Sequence, residues 1–199
     1  MVTIFDLKTG NILSLKKVLD YLDIENNVTS DPNLLKNSSK IIIPGVGSFD
    51  NFMIKLNKNN IIDSLKHEII DKKKPFLGIC VGMQILLNES EEGVEKGLGL
   101  IKGKIKKFDN NLNLRLPHMG WNYVTSIKDN DLLKKNEKNM FYFVHSYYPE
   151  TNNEYIIATT KYGFDFPSVI QKDNIYGVQF HPEKSQQFGK KLLENFNKI

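Results

Sequence analysis

The stretch Phe76-Leu77-Gly78-Ile79-Cys80-Val81-Gly82 decides the fold, because it places the chain's single cysteine in a tight turn between two glycines. An apolar run precedes Cys80, and residues 83–87 are typical of a helix. Strand, Gly-X-nucleophile-X-Gly turn and helix together predict a nucleophile elbow, whose turn holds the nucleophile in a strained backbone conformation. The helix N-terminus would favour the thiolate. A lone cysteine is equally typical of a small buried apolar residue, so the elbow alone leaves both interpretations open.

Composition limits the class of protein. The 199 residues suffice for one domain, residues 1–199, with a core of its own. A single cysteine excludes an internal disulfide and indicates a reducing, cytoplasmic location. No run approaches the roughly 20 apolar residues of a membrane span. The net charge is +4, but Arg115 is the only arginine, and arginine is the usual reader of bases and phosphates. We therefore expect neither nucleic acid nor a membrane as partner. We also expect neither a metal ion nor an organic cofactor.

Apolar strands separated by helical patterns predict a right-handed parallel sheet. These strands are residues 2–7, 40–44, 75–79 and 175–180. Glycines break up residues 93–103, and short β-like segments follow at 104–108, 121–124, 140–145 and 156–160. The predicted fold is α/β: a mostly parallel, twisted sheet flanked by helices, with a smaller antiparallel extension. Ligands bind such sheets at the carboxyl ends of the strands.

His181 and Glu183 supply the partners that a cysteine nucleophile needs. His181 directly follows the strand at 175–180, so it lies at the same sheet edge as Cys80. The Glu183 carboxylate can bond one imidazole nitrogen and leave the other facing the thiol. We therefore predict a Cys-His-Glu triad. In isolation, His-Pro-Glu is also typical of an ordinary turn. His67 lies in a lysine-rich helix, and we treat it as incidental.

A second glycine turn, Pro44-Gly45-Val46-Gly47-Ser48-Phe49, follows the neighbouring strand. An elbow supplies one oxyanion donor from the residue after the nucleophile, here the N–H of Val81. The amides near Val46 and Gly47 are predicted to supply the other donor. Taken alone, the segment is a strand-to-helix turn; its place at the same edge of the sheet favours the functional interpretation.

Five motifs in order resemble the class I (triad) glutamine amidotransferases, and most closely the HisH family, the glutaminase subunits of imidazole glycerol phosphate synthase. The motifs are residues 44–49, 77–84, 117–122, 142–147 and 179–183, and the match runs from Gly10 to Phe196. The resemblance implies that Cys80 attacks the side-chain amide carbon of L-glutamine. Ammonia then leaves, protonated through His181, and water activated by His181 hydrolyses the glutamyl thioester. Glu183 orients His181.

The resemblance also implies residues that bind substrate and partner. Gln84 and Glu92 match positions at the amino-acid head group, and the backbone of His145, Ser146 and Tyr147 matches the other end. The implied partner is a (β/α)₈-barrel synthase that receives the ammonia and makes imidazole glycerol phosphate and AICAR. Positions matching its interface are Asn11, Trp121, Tyr142 and Lys184. Without the resemblance, Glu92 is typical of an acidic surface turn and Trp121 of a core residue.

Two positions depart from the family pattern. Lys8 replaces a glycine in the first motif, residues 6–11, and Gln186 replaces a glycine after the His-Pro-Glu motif. The ending with Phe188 and Gly189 resembles paralogous glutaminases of surface-polysaccharide loci, which supply ammonia for an amidino sugar. A stand-alone cysteine hydrolase, which needs no partner surface, and an inactive scaffold, which would lack part of the triad, are further alternatives.

Overall fold

Strands and helices alternate through the first 84 residues of the computed structural model, which describes residues 1–9, 11–58, 61–109, 111 and 113–199. Gly10, where the family resemblance begins, lies outside the described residues. Five strands form the parallel part of the main sheet: β1 (Val2–Phe5), β2 (Asn26–Thr29), β3 (Lys40–Gly45), β4 (Phe76–Cys80) and β12 (Ile175–Val178). They pair in the order β2-β1-β3-β4-β12. The helices are α1 (Ile12–Tyr21), α2 (Phe49–Asn57), α3 (Ile61–Lys66), α4 (Val81–Gln84) and α5 (Gln186–Lys198).

Four longer strands extend the same sheet beyond β12, each antiparallel to its neighbour. In spatial order they are β11 (Phe164–Lys172), β10 (Ile156–Tyr162), β7 (His118–Ser126) and β8 (Lys138–His145). A small separate sheet contains β5 (Glu89–Ser90), β6 (Gly103–Lys107) and β9 (Tyr147–Thr151). The predicted α/β class is confirmed, and the antiparallel extension is continuous with the parallel sheet.

The central strands β3 and β4 are apolar on both faces because both faces are buried. Isoleucines 41 to 43 and the Phe76–Leu77 pair are completely buried there. The register places Gly45, at the end of β3, opposite Cys80, at the end of β4. On the other side of β4, Val178 pairs with Ile79, so the chain that continues toward His181 leaves the sheet beside Cys80. The parallel register therefore brings the ends of three strands to one edge.

The helices that flank the sheet are amphipathic or short. Helix α5 buries Leu192, Leu193 and Phe196 and exposes Lys191 and Lys198. None of the helices formed by the described residues has both the length and the apolar character needed to cross a lipid bilayer.

The two departures from the family's glycine pattern keep a backbone conformation that glycine favours. Lys8 has a φ of 57° and Gln186 a φ of 48°, both in the left-handed region. The Lys8 N–H donates to the Asp6 carboxylate at 2.6 Å, which supports the loop. This conformation costs about 1–2 kcal/mol at each position, because both residues carry a Cβ.

Candidate active site

Cys80 lies at the junction of β4 and α4 with φ 54° and ψ −111°. A residue with a Cβ rarely adopts this conformation, so the predicted strained elbow is present. The flanking glycines are required by close contacts. A Cβ on Gly78 would collide with the Gly82 carbonyl, and a Cβ on Gly82 would collide with the Ile43 carbonyl. Helix α4 is only one turn long, shorter than predicted, so its dipole contributes little to the site.

His181 is oriented by Glu183. Its Nδ1 donates to the Glu183 carboxylate at 2.8 Å, and the two side chains are 2% and 3% exposed. Nε2 is therefore the nitrogen left for Cys80, and it is buried without a well-aligned hydrogen bond from any described residue. Burial lowers the pKa of His181, but its interactions with Cys80 and Glu183 outweigh burial and raise it to about 10. An imidazolium beside a cysteine stabilises the thiolate.

One cavity of about 260 Å³ unites residues from separate parts of the sequence. Ten of the predicted site residues line it: Val46, Gly47, Cys80, Val81, Gln84, Glu92, His145, Ser146, Tyr147 and His181. Glu183 reaches the cavity only through His181. Sequence reasoning missed Pro117 and Val144, which also line the cavity. Both lie within the family motifs quoted above, so their motif membership was the available signal.

The loop after β3 is closed toward the N-terminal loop. The N–H of Val46 donates to the carbonyl of Thr9 at 2.8 Å, so it is already engaged and does not serve as the expected oxyanion donor in this conformation. Gly47 has a φ of 102°, and an added Cβ there would meet none of the described atoms within 4 Å. The loop therefore has room to change its backbone conformation.

Glu92 is fixed by the start of α2. Its carboxylate accepts the Phe49 N–H at 2.8 Å, one of the donors that have no partner within the helix itself. Burial raises the pKa of Tyr147, and the negative charges of Glu92 and Glu91 raise it further. Because Glu92 also lines the cavity, its carboxylate is held where it can bind an ammonium group.

His145, which lines the cavity, belongs to a chain of side-chain hydrogen bonds. The His145 Nδ1 donates to the Tyr147 carbonyl at 2.7 Å, which leaves its Nε2 to accept from His118 Nδ1 at 2.9 Å. Asn122 then donates to His118 Nε2 at 3.1 Å. Burial lowers the pKa of His118 to about 4 and that of His145 to about 3. Both rings are neutral at pH 7, and each is locked in one tautomer.

The predicted interface residues lie on the outer surface. Trp121 is 43% exposed, and its ring contacts Tyr142 edge-on at 6.0 Å between centroids. The Lys184 ammonium lies 5.6 Å from the Tyr142 ring centroid, within the range of a cation–π contact. Asn11 caps α1 by accepting the Ser14 N–H. Met119 and Tyr123 are also exposed, and they share one face of β7 with Trp121 because side chains two residues apart point to the same side of a strand. Sequence reasoning did not use this period-two pattern.

Comparison with known proteins identifies the family. Residues 7–199 match the family model described as "Glutamine amidotransferase class-I". The chain therefore belongs to the class-I glutamine amidotransferase family, as the motifs indicated. It is 48% identical over 200 residues to "Imidazole glycerol phosphate synthase subunit HisH 2" of Methanococcus maripaludis, covering 100% of this chain and 99% of that protein. It is 49% identical over 201 residues to the HisH subunit of Leptospira interrogans, covering 98% of each.

Solved structures share the fold at low sequence identity. A crystal structure of a glutamine amidotransferase aligns with a TM-score of 0.78 and 19% identity, covering 99% of this chain and 97% of that one. A glutamine amidotransferase from Thermotoga maritima aligns with a TM-score of 0.64 and 16% identity, covering 99% and 82%. These likenesses support the architecture alone.

Proposed function

We propose that this chain is the glutaminase subunit of an imidazole glycerol phosphate synthase, hydrolysing L-glutamine to glutamate and ammonia. The observation that carries the proposal is that Cys80 and His181 line one cavity and Glu183 is bonded to His181, in a chain whose full-length relatives are HisH subunits. A cavity of about 260 Å³ suits a small molecule such as an amino acid. The direct pairing of β12 with β4, which joins residues distant in sequence, supports a single glutaminase domain over residues 1–199.

The geometry supports a two-step acyl transfer. The Cys80 thiolate attacks the carboxamide carbon, and the N–H of Val81 stabilises the oxyanion. The His181 imidazolium gives its proton to the departing ammonia. The imidazole then takes a proton from water, whose oxygen breaks the thioester and releases glutamate. Glu183 keeps the Nε2 of His181 directed at the reacting atoms in both steps.

The partner in this proposal is a (β/α)₈-barrel synthase that uses the ammonia to make imidazole glycerol phosphate and AICAR in histidine biosynthesis. Support comes from the exposed aromatic surface of Trp121 and Tyr142 with Lys184 beside it, since aromatic anchors are typical of binding hot spots. A cytoplasmic location suits a reaction that needs the Cys80 thiol reduced. The amidino-sugar alternative is not favoured, because these full-length relatives are HisH subunits.

The conformation of the loop after β3 predicts low glutaminase activity in the absence of the partner. Because the Val46 N–H is bonded to Thr9, the chain alone lacks that oxyanion donor. Loss of one such donor costs about 10²–10³ in rate. We therefore expect slow glutamine hydrolysis by the isolated chain and faster hydrolysis in the complex; equal rates would contradict this part of the proposal.

The test of the proposed function separates the two half-reactions. Cys80→Ala in complex with the barrel synthase should lose glutamine-dependent product formation while keeping ammonium-dependent product formation. Trp121→Ala is the companion variant, expected to weaken complex formation while leaving the triad intact. Glutamate release by the Cys80→Ala complex at the wild-type rate would overturn the assignment of the nucleophile.

A further inference from the structure

Gln179 contacts the Cys80 sulfur but has no role in the proposed mechanism. It is completely buried and lies between the end of β12 and His181. Its Nε2 donates to the Cys80 sulfur at 3.6 Å, within the range of a hydrogen bond to sulfur. Its Oε1 accepts from Gln84 Nε2 at 3.2 Å. Gln84 lines the cavity, so Gln179 joins a cavity-lining residue to the reacting sulfur.

We propose that Gln179 is a further catalytic residue, whose side-chain amide donates a hydrogen bond that stabilises the thiolate of Cys80. This inference rests on the proposed function, since it concerns the same nucleophile. A thiol sulfur accepts hydrogen bonds weakly, whereas an anionic acceptor forms bonds roughly twice as strong. The Gln179 bond therefore strengthens when the proton leaves the sulfur, and it favours the reactive form.

The orientation of the Gln179 amide follows from its neighbours. Because its Oε1 accepts the amide of Gln84, its NH₂ group is the one that faces the sulfur. The backbone N–H of Gln179 donates to the Ser168 carbonyl at 2.9 Å, which anchors the residue to β11. The side chain is thus held from both ends and needs no rearrangement to meet the thiolate.

The side-chain oxygen of Gln84 remains available to a ligand. One N–H of its Nε2 is used by Gln179, and its Oε1 accepts no hydrogen bond within the described part of the chain. A free carbonyl oxygen on a residue that lines the cavity suits a cationic group such as the α-ammonium of an amino acid. Movement of Gln84 on substrate binding would reach Cys80 through Gln179, which links occupancy of the cavity to the nucleophile.

The test uses two substitutions of similar size, Gln179→Met and Gln179→Glu, in the complex with the barrel synthase. Gln179→Met removes the donor, and Gln179→Glu puts a carboxylate beside the sulfur. The readout is the rate of Cys80 alkylation by iodoacetamide across pH. We expect at least about a tenfold loss of rate near neutral pH, and a midpoint shifted to higher pH, because hydrogen bonds to charged groups are the strong ones. The shift should be larger for Gln179→Glu. Wild-type profiles in both folded variants would overturn the inference.

A measurement on the wild-type chain covers the case in which neither variant folds. The side-chain amide of Gln179, observed by ¹H–¹⁵N NMR, should shift with the ionisation of Cys80 and lose that shift when Cys80 is alkylated. An amide signal indifferent to both changes would overturn the inference. Failure of the wild-type complex to hydrolyse glutamine would instead overturn the proposed function, so the two failures are distinguishable.

Discussion

Replacing Cys80 with glycine should give a more stable protein than replacing it with alanine, although both lack the nucleophile. At φ 54° and ψ −111°, a residue with a Cβ carries about 1–3 kcal/mol of strain. Glycine avoids this strain but loses about 0.5–1 kcal/mol more conformational entropy on folding. The difference between the two effects favours the glycine variant by about 1–2 kcal/mol.

Urea unfolding followed by circular dichroism measures this difference. With a slope of about 2 kcal/mol per molar urea, the Cys80→Gly midpoint should lie about 0.5–1 M above that of Cys80→Ala. Glu194, which is exposed in the middle of α5, gives the matched control. There Glu194→Ala should be more stable than Glu194→Gly by about 1 kcal/mol, because alanine has the higher helix propensity. A Cys80→Ala protein at least as stable as Cys80→Gly would refute the strain argument.

Three further perturbations follow from the backbone and the buried histidines. Gln186→Gly, at φ 48°, should raise the free energy of unfolding by about 0.5–1 kcal/mol in thermal denaturation; a decrease would contradict the left-handed conformation. Gly82→Ala should lower the free energy of unfolding by about 1–3 kcal/mol in thermal denaturation through its clash with the Ile43 carbonyl, and it should lower glutaminase activity; wild-type stability would contradict that close contact. Neutral His118 contributes stability that is present above the unfolded pKa of 6.5 and is lost as pH falls toward its folded pKa of about 4. His118→Gln should therefore reduce the pH slope of stability in that window by up to about 1.4 kcal/mol per pH unit, and an unchanged slope would show that His118 is protonated when folded.

The triad could be predicted because each of its motifs is recognisable from local sequence. A glycine-flanked cysteine and a His-Pro-Glu turn each follow an apolar strand, and parallel strands bring their carboxyl ends to one edge. The positions of Cys80 and His181 were therefore predictable without knowing the register. The same argument placed Val46 and Gly47 at the cavity, because their turn follows the strand next to β4.

Features that depend on register were not predictable. His118 and His145 are directly opposite each other on β7 and β8, so their hydrogen bond follows from a pairing that no local pattern specifies. The contact of Gln179 with Cys80 spans 99 positions in sequence. Strand β11 was missed because its polar and apolar residues do not alternate cleanly and it contains Pro167. The hydrogen bond from Val46 to Thr9 joins two loops, whose relative placement the sequence does not reveal.

The left-handed conformations at Lys8 and Gln186 show what a departure from a family pattern means physically. Both residues keep the positive φ that glycine adopts without strain. The loop geometry near the site is therefore set by the surrounding structure rather than by the residue at that position. At Lys8 the Asp6 carboxylate supports this conformation by accepting the backbone N–H.

Covalent trapping of the nucleophile tests the central claim most directly. The complex is incubated with a diazoketone analogue of L-glutamine, and the modified residue is located by peptide mass spectrometry. We predict a single adduct on Cys80 that excess L-glutamine suppresses and that Cys80→Ala abolishes, because the cavity holds the amino acid against a thiolate paired with His181. An unmodified Cys80, or an adduct formed elsewhere with equal efficiency, would contradict the assignment of this cavity as the glutaminase active site.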